Sequence, residues 1–380
     1  MAETTIEPTL ASLSDRLRVL HRQTRETPLF NPVFQLSLDI SRKLENGELD
    51  IGQLAGLVDE LEAQSLDARA SRLKKLLRPD RAGERLTQLS APNGNFEAFR
   101  AFWERPHMHA VFTAHPTFLL SPQQSDAVAA AVGNGGKATV RDGERPEITL
   151  RYEHGRAMSA MANAQDARDK LVATVLRQAG EAFPDRWTEL QPLPFRFATW
   201  VGYDMDGRTD IKWYTSIAFR LAEKAERLGR YAASLEAIDP SHELIATLRS
   251  AQERAQASAD EFAGDLSAPE DMSAAANRLT QDHPDKLLSL APIIERLEGE
   301  ADEQGVDTAV ALRTLAAAMR ADGLGMGWIH FRVNAKQLHN AIRTRLGDAA
   351  DIDLSSRGAV AALRELLADV EPQSANFASL

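Results

Sequence analysis

Apolar residues recur at three- and four-residue spacing along most of this 380-residue chain, and alanine, leucine, glutamate and arginine are frequent throughout. Because an α-helix turns once every ~3.6 residues, this spacing collects the apolar side chains on one helix face. The pattern predicts helices at residues 9–22, 32–45, 52–77, 152–182 and 212–237. The second of these has signals at both ends, Asn31-Pro32 at its start and Asn46-Gly47 at its end.

The apolar stripes on the predicted helices are most simply explained as contacts with a protein core. The stripe of the helix at 152–182 consists of Met158, Met161, Ala164, Leu171, Val175 and Leu176. The stripe of the helix at 212–237 consists of Tyr214, Ile217, Leu221, Ala225, Leu228 and Leu235. A shorter stripe on the helix at 52–77 consists of Leu54, Leu57, Val58 and Leu61.

Three short segments interrupt the helical pattern, at residues 109–113, 195–201 and 328–333. Each is rich in aromatic or β-branched residues and ends at a turn or at polar residues, as strands do. Long helical stretches separate them, and helical crossovers of that kind join parallel strands. The chain is therefore predicted to be a mostly α-helical α/β protein, with helices covering a parallel layer or barrel.

Composition and charge disfavour several binding partners and exclude several kinds of site. The formal net charge is −11 and the chain has no basic run, which disfavours nucleic-acid binding. Cysteine is absent, which excludes disulfides, thiolate metal sites and a cysteine nucleophile. No apolar run approaches the ~18 residues that span a bilayer, and the N-terminus lacks the pattern of a secretory signal. We therefore expect a cytoplasmic protein that does not bind membranes.

The first strand segment places a histidine where α/β proteins gather reactive groups. Val111, Thr113 and His115 alternate onto one face, and Pro116 ends the strand because it has no N–H to donate. His115 therefore follows the carboxyl end of a strand. An imidazole there can exchange a proton near neutral pH or donate a hydrogen bond to an anion. A purely structural His-Pro pair is the alternative interpretation.

The second segment runs from a bulky strand into the turn Asp204-Met205-Asp206-Gly207. Gly207 permits a positive φ, and the two carboxylates are able to bind a cation or to position an arginine. The further acidic ligands of an EF-hand loop are missing from the sequence that follows. Because the same residue types also form plain turns, a binding site and a plain turn both stay open.

The third segment has one apolar and one polar face. Ile329, Phe331 and Val333 share the first face, and His330, Arg332 and Asn334 share the second. Three polar groups in register are costly to bury without partners, so their face either meets solvent or lines a polar cavity such as a barrel mouth. We favour the cavity, because the flanking helices are expected to cover the outer face of the strand.

Together, the three segments resemble motifs of the phosphoenolpyruvate carboxylase family. The family motif Thr-Ala-His-Pro-Thr-Glu is matched from Thr113 through Thr117. The family segment Trp-x-Gly-Gly-Asp-Arg-Asp-Gly-Asn is matched at Trp200, Gly202, Asp204, Asp206 and Gly207. A third motif, Gly-Met followed by a hydrophobic strand, is matched at Gly325-Met326 and in the apolar frame of that strand. The chain thus resembles the N-terminal portion of such an enzyme.

The resemblance implies a β/α barrel with many added helices. About three of the barrel's strands belong to this chain. It implies carboxylation of phosphoenolpyruvate by bicarbonate, with Mg²⁺ or Mn²⁺, to give oxaloacetate and phosphate. His115 takes the position of the family's catalytic histidine, which handles the carboxyphosphate intermediate. The expected substrate-binding residues are Thr113, Asp204, Asp206, Arg332 and Asn334. We expect a homo-oligomer whose metal ligands lie in further sequence after Leu380.

Several positions depart from the family pattern. Phe118 stands where the motif has glutamate, Met205 where the family has arginine, and Arg208 where it has asparagine. Family chains are also far longer, so we interpret this sequence as a truncated enzyme that is inactive alone. It would comprise a helical region at 1–95 and a partial barrel at 96–380. The alternatives are a non-catalytic relative acting as a helical binding or regulatory protein, and a helical domain with coincidental motifs.

Overall fold

The computed structural model describes residues 9–24, 31–90, 94–114, 120–138, 146–204 and 210–330. The fold is predominantly α-helical with one small parallel sheet, which confirms the predicted mostly α-helical α/β class. The helices are α1 (Leu10–Thr24), α2 (Pro32–Glu45), α3 (Ile51–Leu77), α4 (Ala82–Ser90), α5 (Phe96–Trp103), α6 (Pro122–Asn134), α7 (Leu150–Ala182), α8 (Trp213–Ile238), α9 (Leu244–Phe262), α10 (Pro269–Thr280), α11 (Ala291–Asp302) and α12 (Val306–Asp322). The strands are β1 (Met108–Phe112), β2 (Phe195–Thr199) and β3 (Trp328–Ile329). In the described ranges no helix is both long and apolar enough to cross a membrane.

The predicted helices at 9–22, 32–45, 52–77, 152–182 and 212–237 correspond to α1, α2, α3, α7 and α8. Side chains at the helix starts explain where they begin. The Asn31 side chain accepts hydrogen bonds from the backbone N–H groups of Val33 and Phe34, which have no partner within the helix. Asp50 and Gln53 form a capping box at the start of α3 in the same way.

The chain divides into two compact units, each described here by itself. The first comprises residues 1–82 and 119–146, and the second comprises 83–118 and 147–380. In the first unit α3 packs on α6 around a small apolar cluster. The buried residues of that cluster are Leu66, Ala70, Val128, Ala131, Val132 and Ala138. The stripe expected on α3 is only partly covered, since Val58 is 56% and Leu61 51% exposed. The division at residue 95 into a helical region and a partial barrel stays a prediction.

The second unit contains the sheet. Its strands lie in the order β1-β2-β3 and are all parallel, with Val111 paired to Ala198 and Ala198 paired to Trp328. Helix α7 lies between β1 and β2 in the sequence, after α6, and packs against both strands. The prediction of three parallel strands joined by helical crossovers is confirmed. β2 ends at Thr199 rather than Val201, because the chain turns there and the Tyr203 N–H donates to the Trp200 carbonyl.

The main core of the second unit is built by α7, α8 and α12. The predicted stripes of α7 and α8 do face the protein interior, since Met161, Val175, Leu176, Leu228 and Leu235 are fully or almost fully buried. Helix α12 packs on both of these helices and on β2. The interpretation of both stripes as core contacts is therefore confirmed.

A buried ion network fastens the end of α12 to α7 and α8. The carboxylate of Asp322 accepts hydrogen bonds from Arg168 on α7 at 2.7 and 2.8 Å, and from Arg227 on α8 at 2.5 Å. All three side chains are at most 3% exposed. A buried charge without its partner is strongly unfavourable, so these helices are held in one arrangement.

The same two helices also hold the turn between α12 and β3. The Tyr231 hydroxyl donates to the Gly323 carbonyl at 2.9 Å, and the Gln165 side chain donates to the Met326 carbonyl at 2.9 Å. Gly325 lies against the guanidinium of Arg220, and a Cβ there would lie 1.8 Å from a nitrogen of that side chain. The Gly325-Met326 pair therefore has a local steric reason, and the turn fixes where β3 begins.

Candidate functional site at the carboxyl end of the sheet

The carboxyl ends of the three strands are joined through Thr199, the last residue of β2. Its hydroxyl donates to the Phe112 carbonyl at the end of β1 at 3.0 Å and accepts from the Val201 N–H at 3.2 Å. Its carbonyl accepts from the His330 N–H, directly after β3, at 2.8 Å. The residues that follow the three strands therefore begin at one edge of the sheet, which these hydrogen bonds hold together.

The structure describes some of the expected site residues and not others. Thr113 and the buried Asp204 both lie at this edge, directly after β1 and in the turn after β2. Four others, including the candidate catalytic histidine, lie outside the described residues: His115, Asp206, Arg332 and Asn334. That all six side chains lie close together thus stays a prediction. The structure describes only the two, Thr113 and Asp204, that lie at the same edge of the sheet.

The turn after β2 depends on a glycine. Gly202 has a φ of +89°, and a Cβ at this position would lie 2.5 Å from the ring of Phe219. Its carbonyl accepts a hydrogen bond from the Ser216 hydroxyl on α8 at 2.7 Å. A side chain is therefore excluded both by backbone conformation and by space. This motif glycine has a clear structural role in directing Tyr203 and Asp204.

A buried polar cluster, centred on Glu223, lies behind this turn. One carboxylate oxygen accepts from the Tyr203 hydroxyl at 2.6 Å and from Nε2 of His154 at 2.8 Å, and the other accepts from Arg220 at 3.0 Å. The His154 ring stacks on Phe219 with centroids 4.1 Å apart. The cluster links the start of α7, the first half of α8 and the turn after β2, where Tyr203 directly precedes Asp204 in the sequence.

The charge state of the Glu223 cluster follows from its partners. Burial by itself would raise the pKa of Glu223, but the hydrogen bond from His154 and the charge of Arg220 outweigh it, so the pKa lies below its ordinary value. Burial and the neighbouring carboxylate raise the pKa of Tyr203. Glu223 is therefore an ionised acceptor and Tyr203 a neutral donor, as the short contact between them requires.

The two faces of the sheet differ in character. Ala110, Phe112 and Phe197 point to the side that α7 covers and pack with Met158 and Met161. The other side carries polar and aromatic residues from all three strands: His109, Arg196, Trp328 and His330. Since Trp328 is 51% exposed, we refer to this side as the open face.

Aromatic contacts link the strands across the open face. The His109 and His330 rings stack with centroids 5.2 Å apart, and the Arg196 guanidinium lies 4.9 Å from the centre of the Trp328 ring. Ala198, on the middle strand of this face, is fully buried. His330 belongs to the polar side of the third segment as predicted, while Arg332 and Asn334 lie outside the described residues.

The divalent metal that the resemblance implies does not fit the residues described. Within these ranges no group of three or more histidine, aspartate or glutamate side chains is close enough to hold a metal ion. Asp204 is at the correct edge, but its expected companion Asp206 is outside the described part. The described residues by themselves therefore do not form a Mg²⁺ or Mn²⁺ site.

The residues of the Glu223 cluster were not predicted from the sequence. His154, Arg220 and Glu223 lie within long helices, where charged residues ordinarily occupy the solvent-exposed face. One local signal is available, since Arg220 and Glu223 are three residues apart and so are neighbours on α8. Nothing in the local pattern shows that His154, 69 residues earlier, completes the group.

Neither models of protein families nor curated proteins give a match to this chain. The residues and their geometry are therefore the basis for its function.

Proposed function

We propose that this chain is part of an enzyme of the phosphoenolpyruvate carboxylase type, which combines phosphoenolpyruvate with bicarbonate to give oxaloacetate and phosphate. The observation that carries the proposal is the position of the three motif segments. The first two directly follow β1 and β2, and the third leads into β3, so each lies at one strand of a single parallel sheet, in chain order. In this proposal the catalytic residue is His115, three residues after the end of β1 in sequence.

The proposed architecture is the beginning of a β/α barrel with added helices. Two observations support it: a crossover helix covers one side of the sheet, and the other side is polar and open. In a barrel the helices lie outside and the loops at the carboxyl ends of the strands form the active site. We further propose a cytoplasmic homo-oligomer that uses Mg²⁺ or Mn²⁺, held by residues other than those described, with no nucleic acid or membrane as partner.

The test uses the full-length protein to which this chain is proposed to belong, and measures oxaloacetate formed from phosphoenolpyruvate and bicarbonate, coupled to reduction of oxaloacetate by malate dehydrogenase. Asparagine still forms hydrogen bonds but cannot exchange a proton near neutral pH, and acid-base groups contribute ~10²- to 10⁴-fold to rates. We expect His115→Asn to lower turnover by at least ~100-fold. The control is His21→Asn, which changes an exposed histidine on α1 and should leave turnover unchanged. Equal turnover by the wild type and His115→Asn would refute the role of His115.

A non-catalytic binding or regulatory protein is the second candidate. It is favoured by Phe118 and Met205, which replace charged residues of the family motifs. Calorimetric titration of phosphoenolpyruvate with Mg²⁺ into the 380-residue chain separates the two candidates. Binding by this chain without turnover by the full-length protein would support the second candidate, whereas turnover by the full-length protein would support the first. The absence of both binding and turnover would overturn both.

A further inference from the structure

A small cavity lies between α8, α9 and the segment that follows α10, and none of its lining residues belongs to the candidate site at the sheet edge. Its volume of about 30 Å³ has room for about two water molecules, so its occupant is a compact group. Basic side chains from all three parts of the chain line it: Lys224 of α8, Arg254 of α9 and Lys286 of the segment. Each of them is partly exposed, so a solute is able to reach it.

The two lysines donate hydrogen bonds to backbone carbonyls. Nζ of Lys224 donates to the Leu287 carbonyl at 2.7 Å, and Nζ of Lys286 donates to the carbonyls of Leu279 and Gln281 at the end of α10. An ammonium group has three N–H donors, so Lys224 keeps two and Lys286 keeps one for a further acceptor. In the described part of the chain neither amine forms an ion pair with a carboxylate, so both charges are left without a counter-charge in contact.

The arginine has a stronger need for an acceptor. Among the described residues the guanidinium of Arg254 forms neither a hydrogen bond nor an ion pair. A guanidinium carries five N–H donors in a planar fork that matches the oxygens of phosphate or carboxylate groups. An oxyanion in the cavity would therefore give these donors the acceptors that the described residues do not supply.

The basic groups are close enough to affect one another. Burial, together with the charges of Arg220 and Lys286, lowers the pKa of Lys224 to about 8. Burial also lowers the pKa of Lys286, and the charge of Arg254 adds to this effect against the opposing charge of Asp282. Like charges that lie close together are unfavourable, and an anion between them would relieve the repulsion.

The charge of the lining indicates the charge of its ligand. The acidic residue in the lining is Asp285, whose carboxylate lies 3.6 Å from the ring of His283. Three positive side chains and one negative side chain give the lining a net formal charge of +2. A dianion would cancel this charge, whereas a monoanion would leave half of it. The small volume further selects a dianion whose charge is concentrated in one compact group.

We propose that this cavity binds a dianionic phosphate group, held by Lys224, Arg254 and Lys286. The phosphate oxygens would accept from the remaining N–H groups of the two amines and from the guanidinium, and charge-assisted hydrogen bonds of this kind are the strong ones. The group is either inorganic phosphate or the phosphorylated end of a small metabolite. This proposal does not depend on the proposed carboxylase activity, because it uses a separate set of residues.

The test is calorimetric titration of inorganic phosphate into the 380-residue chain, slightly above neutral pH in a chloride buffer. Nitrate is a compact oxyanion with one charge, and it should bind at least ~10-fold more weakly because its attraction to the cations is about half as large. Glycerol 3-phosphate distinguishes the two sources of the group. If it binds as tightly as inorganic phosphate, the ligand is a phosphorylated metabolite, and if it binds more weakly, the ligand is the free ion. Binding of neither phosphate compound, or equal binding of phosphate and nitrate, overturns the proposal.

Variants on α9 locate the binding. Arg254→Gln should weaken phosphate binding by at least ~10-fold, since it removes charged donors without breaking a contact to a described residue. Arg249→Gln removes an arginine of the same helix that is paired with Glu236 outside the cavity, and it should bind phosphate as the wild type does. Circular dichroism melting verifies that both variants are folded, and phosphate should raise the melting temperature of Arg249→Gln but not that of Arg254→Gln. Unchanged phosphate binding by Arg254→Gln would place the ion elsewhere and overturn the proposal.

Discussion

The carboxylate of Asp322, at the end of α12, faces the guanidinium of Arg168 on α7 through two parallel hydrogen bonds of 2.7 and 2.8 Å. The two residues are 154 positions apart in the sequence and both are nearly inaccessible to solvent. Fork-to-fork pairs of this kind fix relative orientation as well as distance. Because β3 follows Asp322 after one short turn, the pair determines where the third strand joins the sheet.

Asp322→Asn tests this network. The variant keeps the shape of the side chain but leaves Arg168 and Arg227 without the charge that compensates them. Breaking a buried ion pair costs about 3–5 kcal/mol, and we expect a loss of that order in the free energy of unfolding. Urea denaturation measures it. The matched control is Asp307→Asn, which changes an aspartate that is 95% exposed and should leave stability unaltered. If both variants unfold at the same urea concentration, the network is not important for stability.

Gly202→Ala tests the turn after β2. A methyl group there would lie within 2.5 Å of the Phe219 ring, on a backbone with φ +89° that alanine rarely adopts. Strained backbone of this kind costs ~1–3 kcal/mol, before any cost of moving the ring. The control is Gly299→Ala in α11, where a Cβ has no atom within 4 Å. That variant should be stabilised by about 0.5–1 kcal/mol, since alanine is the better helix former. A Gly202→Ala protein as stable as the wild type would contradict this steric role.

Glu223→Gln tests the buried cluster. The amide keeps only one acceptor oxygen and places an NH2 donor among the donors of Arg220 and His154, so we expect the variant to unfold about 3 kcal/mol more easily at neutral pH. The pKa of Glu223 in the folded protein lies below the ordinary value of 4.5 for a glutamate. The carboxylate therefore contributes stability above pH 4.5, and the contribution is lost as the pH falls through the lower folded value. Urea titrations between pH 7 and pH 3 should show wild type and variant converging at the acidic end. A difference that stays constant over this range would argue against an ionised Glu223.

Lys224→Met tests a buried amine on α8. Burial, together with Arg220 and Lys286, lowers the pKa of Lys224 from 10.5 to about 8. Between these values the unfolded chain binds more protons than the folded one, so the wild type gains stability as the pH rises. The free energy of unfolding of the wild type minus that of Lys224→Met should therefore increase from pH 8 to pH 10.5. A difference that does not increase over that range would show that the amine remains charged in the folded protein.

The sequence alone determined five of the described helices, α1, α2, α3, α7 and α8, and the places of the three strands. The stripes of α7 and α8 are read from their period, because one turn of helix brings every third or fourth residue to the same face. The start of α2 is predictable from Asn31-Pro32, because a capping side chain bonds to backbone N–H groups only two or three residues further along the chain. The parallel sheet was predictable as well, because strands that are joined by long helical crossovers usually pair in parallel. Gly202 and Gly325 stood out as motif residues before their steric reasons were known.

Only the tertiary structure decided which distant charged residues meet. The residues of two buried groups, Glu223 with His154 and Asp322 with Arg168, lie 69 and 154 positions apart. The helical period shows which positions are polar but not which residue pairs with each polar side chain. A buried arginine and an exposed one therefore cannot be told apart in the sequence. The same holds for the open face of the sheet: alternation gives two faces to each strand, but the packing of α7 decides which of them is covered.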